Sequence, residues 1–391
     1  MLTVVLVGPA PSASARVAPD PVIPVPSGAT ITITGHGFGH GHGMSQYGAQ
    51  GAALQGLTAQ QIVAFYYPHT TLGKVTGQIR VLITANTGSV LTVLSHAGLK
   101  AQQVGTSTVW DLATLHPAAH RWRLTPVGAN RNELDWQSSG AWYMQAIVAG
   151  NLQFTSAGGV PTTLLLPDGS QRAYRGTLRS VPPTAGSSAR ITVNVPSLES
   201  YLDGVVPSEM PASWSPAAVQ AQAIAARTYA AYERAQGGTT YDICDTTACQ
   251  VYGGYTAEQT ASNRAVSATS GQVVLSGGSP AFTQFASSDG GWTAAGGQPY
   301  LPAQADPYDG WSGNPYHTWT TSMTAAALAK HWPAIGTLTS IQVTGRDGNG
   351  DWGGRVTSLM LDGTKGAVSV SGDTFRSTLG LKSNWISLSA K

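Results

Sequence analysis

One carboxylate stands out by its surroundings. Glu209 lies in Val205-Val206-Pro207-Ser208-Glu209-Met210-Pro211, between two prolines and just ahead of an alanine-rich stretch that begins at Ser215-Pro216. With only 19 Asp plus Glu in 391 residues, an acid placed among apolar neighbours at what reads as a strand-to-helix corner is a candidate for proton transfer. Val206, Pro207, Met210 and Pro211 would strip water from it and raise its pKa, as a proton donor near neutral pH requires. The positive end of the following helix would act the other way and hold the group charged. Glu199 and Asp203, on the same approach, read as solvated turn residues, either of which would supply a second carboxylate if the chemistry were an ordinary hydrolysis.

Other chemistry-bearing residues gather in a few places. Gly35-His36-Gly37-Phe38-Gly39-His40-Gly41-His42-Gly43-Met44-Ser45-Gln46 is a glycine repeat dense enough for tight turns and close backbone approach to a ligand. Its histidines offer a route to a metal site, since imidazoles two apart on an extended segment share a face. Cys244 and Cys249 are the whole cysteine complement. With four residues between them they either pair, the commoner fate in an exported protein, or act as two zinc thiolates in a spacing looser than a Cys-x-x-Cys knuckle. The expectation is the Cys244–Cys249 disulfide and no cofactor, with zinc on Cys244 and Cys249 as the alternative. Arg227, alone among alanines, either orients a substrate carboxylate or amide with its planar fork or bonds backbone carbonyls. Ser287, Ser288, Gly290 and Gly291 form a small-residue loop whose N–H groups are candidates to meet sugar hydroxyls, and Tyr252, Trp292 and Trp311 offer flat faces for stacking.

The elements that must hold these residues are mostly strands. Turn residues separate apolar β-branched runs at Ile79–Thr84, Val90–Leu94, Arg121–Thr125, Leu164–Leu166 and Ile191–Val195, with more at Gln272–Leu275, Ala281–Phe285, Ile341–Thr344 and Val368–Val370. The longest helix is expected over Pro216 to about Ala235, with Ser215 as N-cap, Pro216 at the first position and Gly237-Gly238 as the stop. Shorter helices are expected within Met44–Gln55, after a Thr58/Gln61 capping box, and at Met323–His331. The fold class is therefore α+β and β-dominated: antiparallel strands, one long Ala-rich helix and a substrate cleft.

Composition narrows the class of partner. Charged residues make up 10% of the chain, net charge is +2, and no basic stripe is present, which argues against nucleic acid. A neutral surface rich in Ser, Thr, Gln and Trp suits polysaccharide. Leu2–Val7 followed by an Ala13-x-Ala15 site resembles the end of a secretory signal, and no segment approaches the ~18 apolar residues of a membrane span. Secretion, to an extracellular or cell-wall location, is the expectation.

Several longer motifs carry a resemblance. Tyr201-Leu202-Asp203-Gly204-Val205-Val206-Pro207-Ser208-Glu209-Met210-Pro211 and Ala221-Gln222-Ala223-Ile224-Ala225-Ala226-Arg227-Thr228-Tyr229 resemble the signature of the SpoIID/LytB family. So do Cys249-Gln250-Val251-Tyr252-Gly253-Gly254, Ser287-Ser288-Asp289-Gly290-Gly291, Asp306-Pro307-Tyr308-Asp309 and Asn314-Pro315-Tyr316-His317-Thr318-Trp319. The family's glycine-histidine motif usually closes the domain, whereas here Gly37–Gln46 precedes it. The chain thus resembles a circular permutant, in which the strand near Trp385–Leu388 and the strand starting near Thr30 should be neighbours. On this reading residues 1–28 are a signal-like segment and linker, 29–75 the permuted motif with short helices, 76–320 the catalytic region and 321–391 a C-terminal β-rich part of the same domain.

The resemblance implies lytic transglycosylation of peptidoglycan glycan strands between MurNAc and GlcNAc. That reaction needs one acid/base, because the muramoyl 6-hydroxyl closes onto its own anomeric carbon where a hydrolase would use water and a second carboxylate. It assigns Glu209 as catalytic. It also assigns the segment of His40, Ser45 and Gln46 to the cleft beside Glu209, with His36 and His42 incidental, and adds Arg227, Tyr252, Ser287, Ser288, Gly290 and Gly291 as substrate contacts. The LytB side of the family implies an alternative: a non-catalytic peptidoglycan-binding module that enhances a cell-wall amidase. A metal-dependent hydrolase is a third and weaker implication.

Overall fold

A computed structural model describes residues 18–391, so the signal-like Leu2–Val7 and Ala13-x-Ala15 lie outside the described residues. The chain divides into two compact units, one of residues 43–285 with 296–302, the other of residues up to 42 with 286–295 and 303–391. The sequence boundaries expected at 75/76 and 320/321 do not coincide with this division, which cuts the glycine-histidine run between His42 and Gly43.

The larger unit holds two large, mainly antiparallel sheets, a three-stranded sheet of Ser279–Pro280, Gln272–Ser276 and Thr71–Lys74, and most of the helices. In its seven-stranded sheet the order is Ile243–Cys244, Val81–Leu82, Ile191–Val195, Thr177–Val181, Leu152–Ser156, Leu99–Gln103, Val109–Asp111, and only the first pair is parallel. The six-stranded sheet runs Ala141–Ala149, Arg131–Ser138, Arg121–Pro126, Leu91–Leu94, Thr162–Leu165, Gln171–Tyr174. Alternation sets which face is buried: in Leu91–Leu94, Leu91 and Val93 point into the core while Thr92 and Leu94 are half-covered.

Six helices belong to this unit: α1 (Gln46–Leu54), α2 (Ala59–Tyr66), the single-turn α3 (Leu112–Leu115), α4 (Leu198–Glu209), α5 (Pro216–Ala235) and α6 (Thr260–Ala268). The Thr58/Gln61 capping box opens α2 in both directions. Helix α5 has the expected bounds, and its alanines are buried along its length, so α1, α2, α4 and α6 can all pack closely against it. Ser215 stands at its N-cap without a side-chain cap bond; its backbone N–H instead donates to Gln50 Oε1 on α1 at 2.9 Å.

The strand-to-helix corner expected at Val205–Pro211 is a helix end. Residues 198–209 form α4, capped by Ser197, and Pro207 sits in its last turn. A proline there removes a hydrogen bond where a helix is about to stop anyway, so the helix survives the breaker and ends two residues later. Met210, in extended conformation, turns the chain towards α5. Of the predicted strand Ala281–Phe285, only Phe285 begins a strand, of two residues, because the amides of 283 and 284 bond to carbonyls two residues back instead of to a partner strand.

The smaller unit is built on a four-stranded antiparallel sheet, Ile23–Pro24, Leu338–Arg346, Val356–Gly363, Gly366–Ser371, and a three-stranded one, Trp319–Thr324, Thr30–Gly35, Ile386–Ala390. Helices α7 (Ala325–Ala329) and α8 (Gly372–Leu379) complete it, and Ile31, Ile33, Leu328, Ile341, Leu359, Leu361 and Phe375 form its core. Thr30–Gly35 pairs with Ile386–Ala390, Ile31 opposite Ala390 and Gly35 opposite Ile386, which is the expected adjacency of these distant segments.

Candidate functional site

Glu209 closes α4 with its carboxyl half-buried. Its Oε1 accepts the Val251 N–H at 2.7 Å, and the Gln46 side chain donates to the same carboxyl. Burial pushes its pKa above the ordinary 4.5; the Val251 N–H and Gln46 pull against that rise without cancelling it. The balance goes to desolvation, the sense an acid catalyst needs and the opposite of what the helix-dipole expectation required.

Each partner of Glu209 is fixed by its own neighbours. Gln46 is the first residue of α1, buried, and Ser45 before it accepts the Gly48 N–H at 2.9 Å as N-cap. Ser45 therefore positions Gln46 and, itself buried, offers no surface to a substrate. Val251 follows a loop closed by the Cys244–Cys249 disulfide, whose Cα atoms are 5.5 Å apart. Asp245 in that loop accepts from the Thr84 N–H and hydroxyl at 3.1 and 2.7 Å and from Tyr252 N–H through its carbonyl. Gln250 spans between Tyr201 and α5, its Oε1 taking the Tyr201 hydroxyl and its Nε2 donating to Ala226 O. Sulfurs joined to each other are not thiolate ligands, so in this state the pair does not hold zinc.

Tyr252 lies under this loop and not on a sugar-binding face. It is 2% exposed, stacks near Tyr201 and donates to Asn194 Oδ1 at 2.8 Å. A Cβ on Gly204 would come within 2.7 Å of its ring and 2.8 Å of Gly254 O, which is why α4 carries a glycine there.

Arg227 also departs from the expected substrate contact. It is fully buried, its fork gripping Glu199 through Nε–Oε1 at 2.9 Å and Nη2–Oε2 at 2.7 Å, while Gln272 O and Val266 O take further donors at 3.1 and 3.2 Å. Glu199 in turn accepts the Gly271 N–H at 3.0 Å, so it is an ion-pair partner and not a solvated turn residue. The second approach acid, Asp203, is half-buried and raised to about 6 by that burial and by the charge of Glu258. Glu258 itself is held by Arg175 in a two-pronged pair. Neither Asp203 nor Glu199 figures among the groups that shift Glu209.

The remaining candidates belong to the smaller unit. His40 Nδ1 takes the His42 N–H at 2.9 Å and its ring stacks on His42 at 5.0 Å. His42 is lowered by burial and reaches Ala294 O, and His36 bonds the His317 carbonyl at 2.9 Å. Gly37 has φ 78°, and a Cβ there would meet the Asp289 and Ser288 backbone at 2.8 Å, so the repeat's glycines serve close backbone packing. The expected oxygen-seeking loop is already satisfied: the Gly290 N–H donates to Ser288 Oγ and the Gly291 N–H to Asp289 Oδ1. Ser288, 1% exposed, donates to Asp309 at 2.9 Å; Ser287 is half-buried.

Reading the sequence missed what Ser288 is bonded into. Carboxylate oxygens of Asp289, Asp306 and Asp309, all buried, lie within 4.8 Å of one another. Asp309 accepts from Ser288 Oγ, Asn314 Nδ2 and His317 Nδ1, and that contact raises the His317 pKa. Burial and the neighbouring carboxylates push the Asp289 carboxyl well above the usual carboxylate range. These acids fall in Ser287–Gly291 and Asp306–Asp309, both flagged by motif, but nothing in the spacing announced that they converge.

Residues 187–275 match the family model SpoIID, described as stage II sporulation protein, and that span contains Glu209, Val251, the disulfide and the Arg227–Glu199 pair. Over that stretch the chain is similar to the SpoIID family. Among similar proteins, the amidase enhancer of Bacillus subtilis is 42% identical over 133 residues, 32% of this chain and 17% of that protein. Stage II sporulation protein D of the same organism is 31% identical over 180 residues, 38% and 50% of the two chains. That of Bacillus amyloliquefaciens is 29% identical over 241 residues, 53% and 65%. The matched part is thus less than two thirds of each of these relatives.

Proposed function

We propose that this chain, similar to the SpoIID family over residues 187–275, is a secreted lytic transglycosylase that cuts peptidoglycan glycan strands between MurNAc and GlcNAc, with Glu209 as the single acid/base. The observation that carries the reading is the Glu209 carboxyl itself: raised by burial, gripped by one N–H and one amide, with no second carboxylate among the described residues acting on it. Protonated Glu209 gives its proton to the glycosidic oxygen as the bond to the anomeric carbon breaks. The muramoyl 6-hydroxyl then bonds to that carbon, and the Glu209 carboxylate takes the hydroxyl proton. One strand leaves with a 1,6-anhydro end, the other with a free hydroxyl, and no water is consumed. Gln46 and the Val251 N–H favour the carboxylate that exists between the two proton transfers.

The pairing of Thr30–Gly35 with Ile386–Ala390 supports reading the chain as a permutant of the usual motif order. Among described residues no helix is long and apolar enough to cross a membrane. A second reading, peptidoglycan binding that stimulates a cell-wall amidase, is favoured by the relative named amidase enhancer. Mass spectrometry of denuded glycan after incubation with the wild-type chain and with Glu209→Gln separates the two. Anhydro-muramoyl ends that appear only with wild type support the enzyme; their absence with both leaves the binding module.

A further inference from the structure

The larger unit carries a depression of ≈ 450 Å³ lined by Arg80, Asn151, Arg179, Val181–Ala185, Thr239 and Thr240. It shares no residue with the Glu209 site. Arg80 is fully occupied there: it pairs with Asp242 through Nε at 3.1 Å and donates to the carbonyls of Gly238 and Thr239. Among the described residues Arg179 has no such partner. Its Nε donates to the neutral Gln153 Oε1 at 2.9 Å, and burial, joined by the like charge of Arg80, lowers its pKa.

A third guanidinium is tied to the lining residue Asn151. Arg190 is 3% exposed and gives Nη1 to Asn151 Oδ1 at 2.9 Å, while its Nε and Nη2 are buried without a hydrogen-bond partner. Two buried or half-buried guanidiniums with neutral partners alone are an expensive arrangement, since desolvated charges are ordinarily paired. A carboxylate or a phosphodiester brings one negative charge; a phosphate monoester or inorganic phosphate brings ≈ −1.5 to −2, enough to match both. Guanidiniums also suit phosphate oxygens geometrically, through parallel N–H donors.

We propose that the depression lined by Arg179, Asn151, Thr184, Thr239 and Thr240, with Arg190 bonded to Asn151, binds a phosphate dianion, free or as a monoester. Titration calorimetry of the full chain at low ionic strength with inorganic phosphate and with glycerol 3-phosphate tests this. One equivalent should bind, and Arg179→Gln should weaken it about tenfold, the loss of one charge-assisted contact. Tighter binding of glycerol 3-phosphate identifies a monoester as the occupant, tighter inorganic phosphate the free ion. Because Arg190 is buried, its contribution is read without mutation: its Nε–Hε resonance should shift with phosphate. Any one of three results overturns the proposal: no binding up to about 10 mM, unchanged affinity in a folded Arg179→Gln, or acetate binding as well as phosphate.

Discussion

The Val251 N–H points at Glu209 Oε1 from 2.7 Å, and it is the loop closed by Cys244 and Cys249 that brings it there. A backbone donor cannot be deleted by mutation of its own side chain. Its effect is therefore best read through the acid it touches and the loop that holds it.

Glu209 carries a folded-state pKa above its ordinary 4.5. Between those two values the native chain keeps a proton that the unfolded chain has released, so this group's contribution to stability is present below pH 4.5 and lost as pH rises through the folded value. Glu209→Gln removes that loss. The variant should melt higher than wild type at pH 7 and equally at pH 4, while forming anhydro ends at least ~100-fold more slowly. A variant less stable than wild type at pH 7 would contradict the desolvated acid.

Gln46 opposes the rise at Glu209 by donating to its carboxyl. Gln46→Ala should therefore move the alkaline limb of the activity profile to higher pH, because Glu209 then holds its proton longer. It should also cost about tenfold in rate, the weight of one hydrogen bond to a charged group. Ser45 still caps α1, so thermal stability should change little. An unmoved limb would mean that the amide does not act on the acid.

Reduction of the disulfide, or Cys244→Ser with Cys249→Ser, opens a loop of about six residues, worth about 2 kcal/mol by chain entropy. The Asp245–Thr84 bonds remain as a second anchor, so the fold should persist. Activity should nonetheless fall by more than that stability loss explains, since Val251 is released from Glu209. Equal activity of the oxidised and reduced chains at a temperature where both are folded would count against a role for the loop.

How legible all this was depended on the range of the interactions. Helix α5 could be bounded at Pro216 and to about Ala235 because Ser215-Pro216 and Gly237-Gly238 are local signals. Glu209 could be singled out because its apolar neighbours are adjacent in sequence. The corner was misread as strand to helix because Pro207 looks like a breaker, yet proline in a final turn costs a helix little. Arg227 misled because its partner Glu199 is 28 positions away and on another helix. The N–H groups of Gly290 and Gly291 were already claimed by Ser288 and Asp289, a closure written in backbone angles and not in residue types.

Arg227 supplies the last test, because its two readings separate cleanly. As a buried clamp it joins α4, α5, α6 and the strand Gln272–Ser276 through Glu199 and three carbonyls, and removing it strands the Glu199 charge. Breaking a buried pair on one side typically costs ~3–5 kcal/mol. Arg227→Lys keeps the charge but not the fork, so it should lower the melting temperature markedly while leaving glycan affinity unchanged wherever the variant is folded. Glu199→Gln, which retains a neutral acceptor, should destabilise less. Were Arg227 a substrate ligand instead, Arg227→Lys would weaken glycan binding with stability intact. That outcome is incompatible with a side chain whose accessible surface is nil.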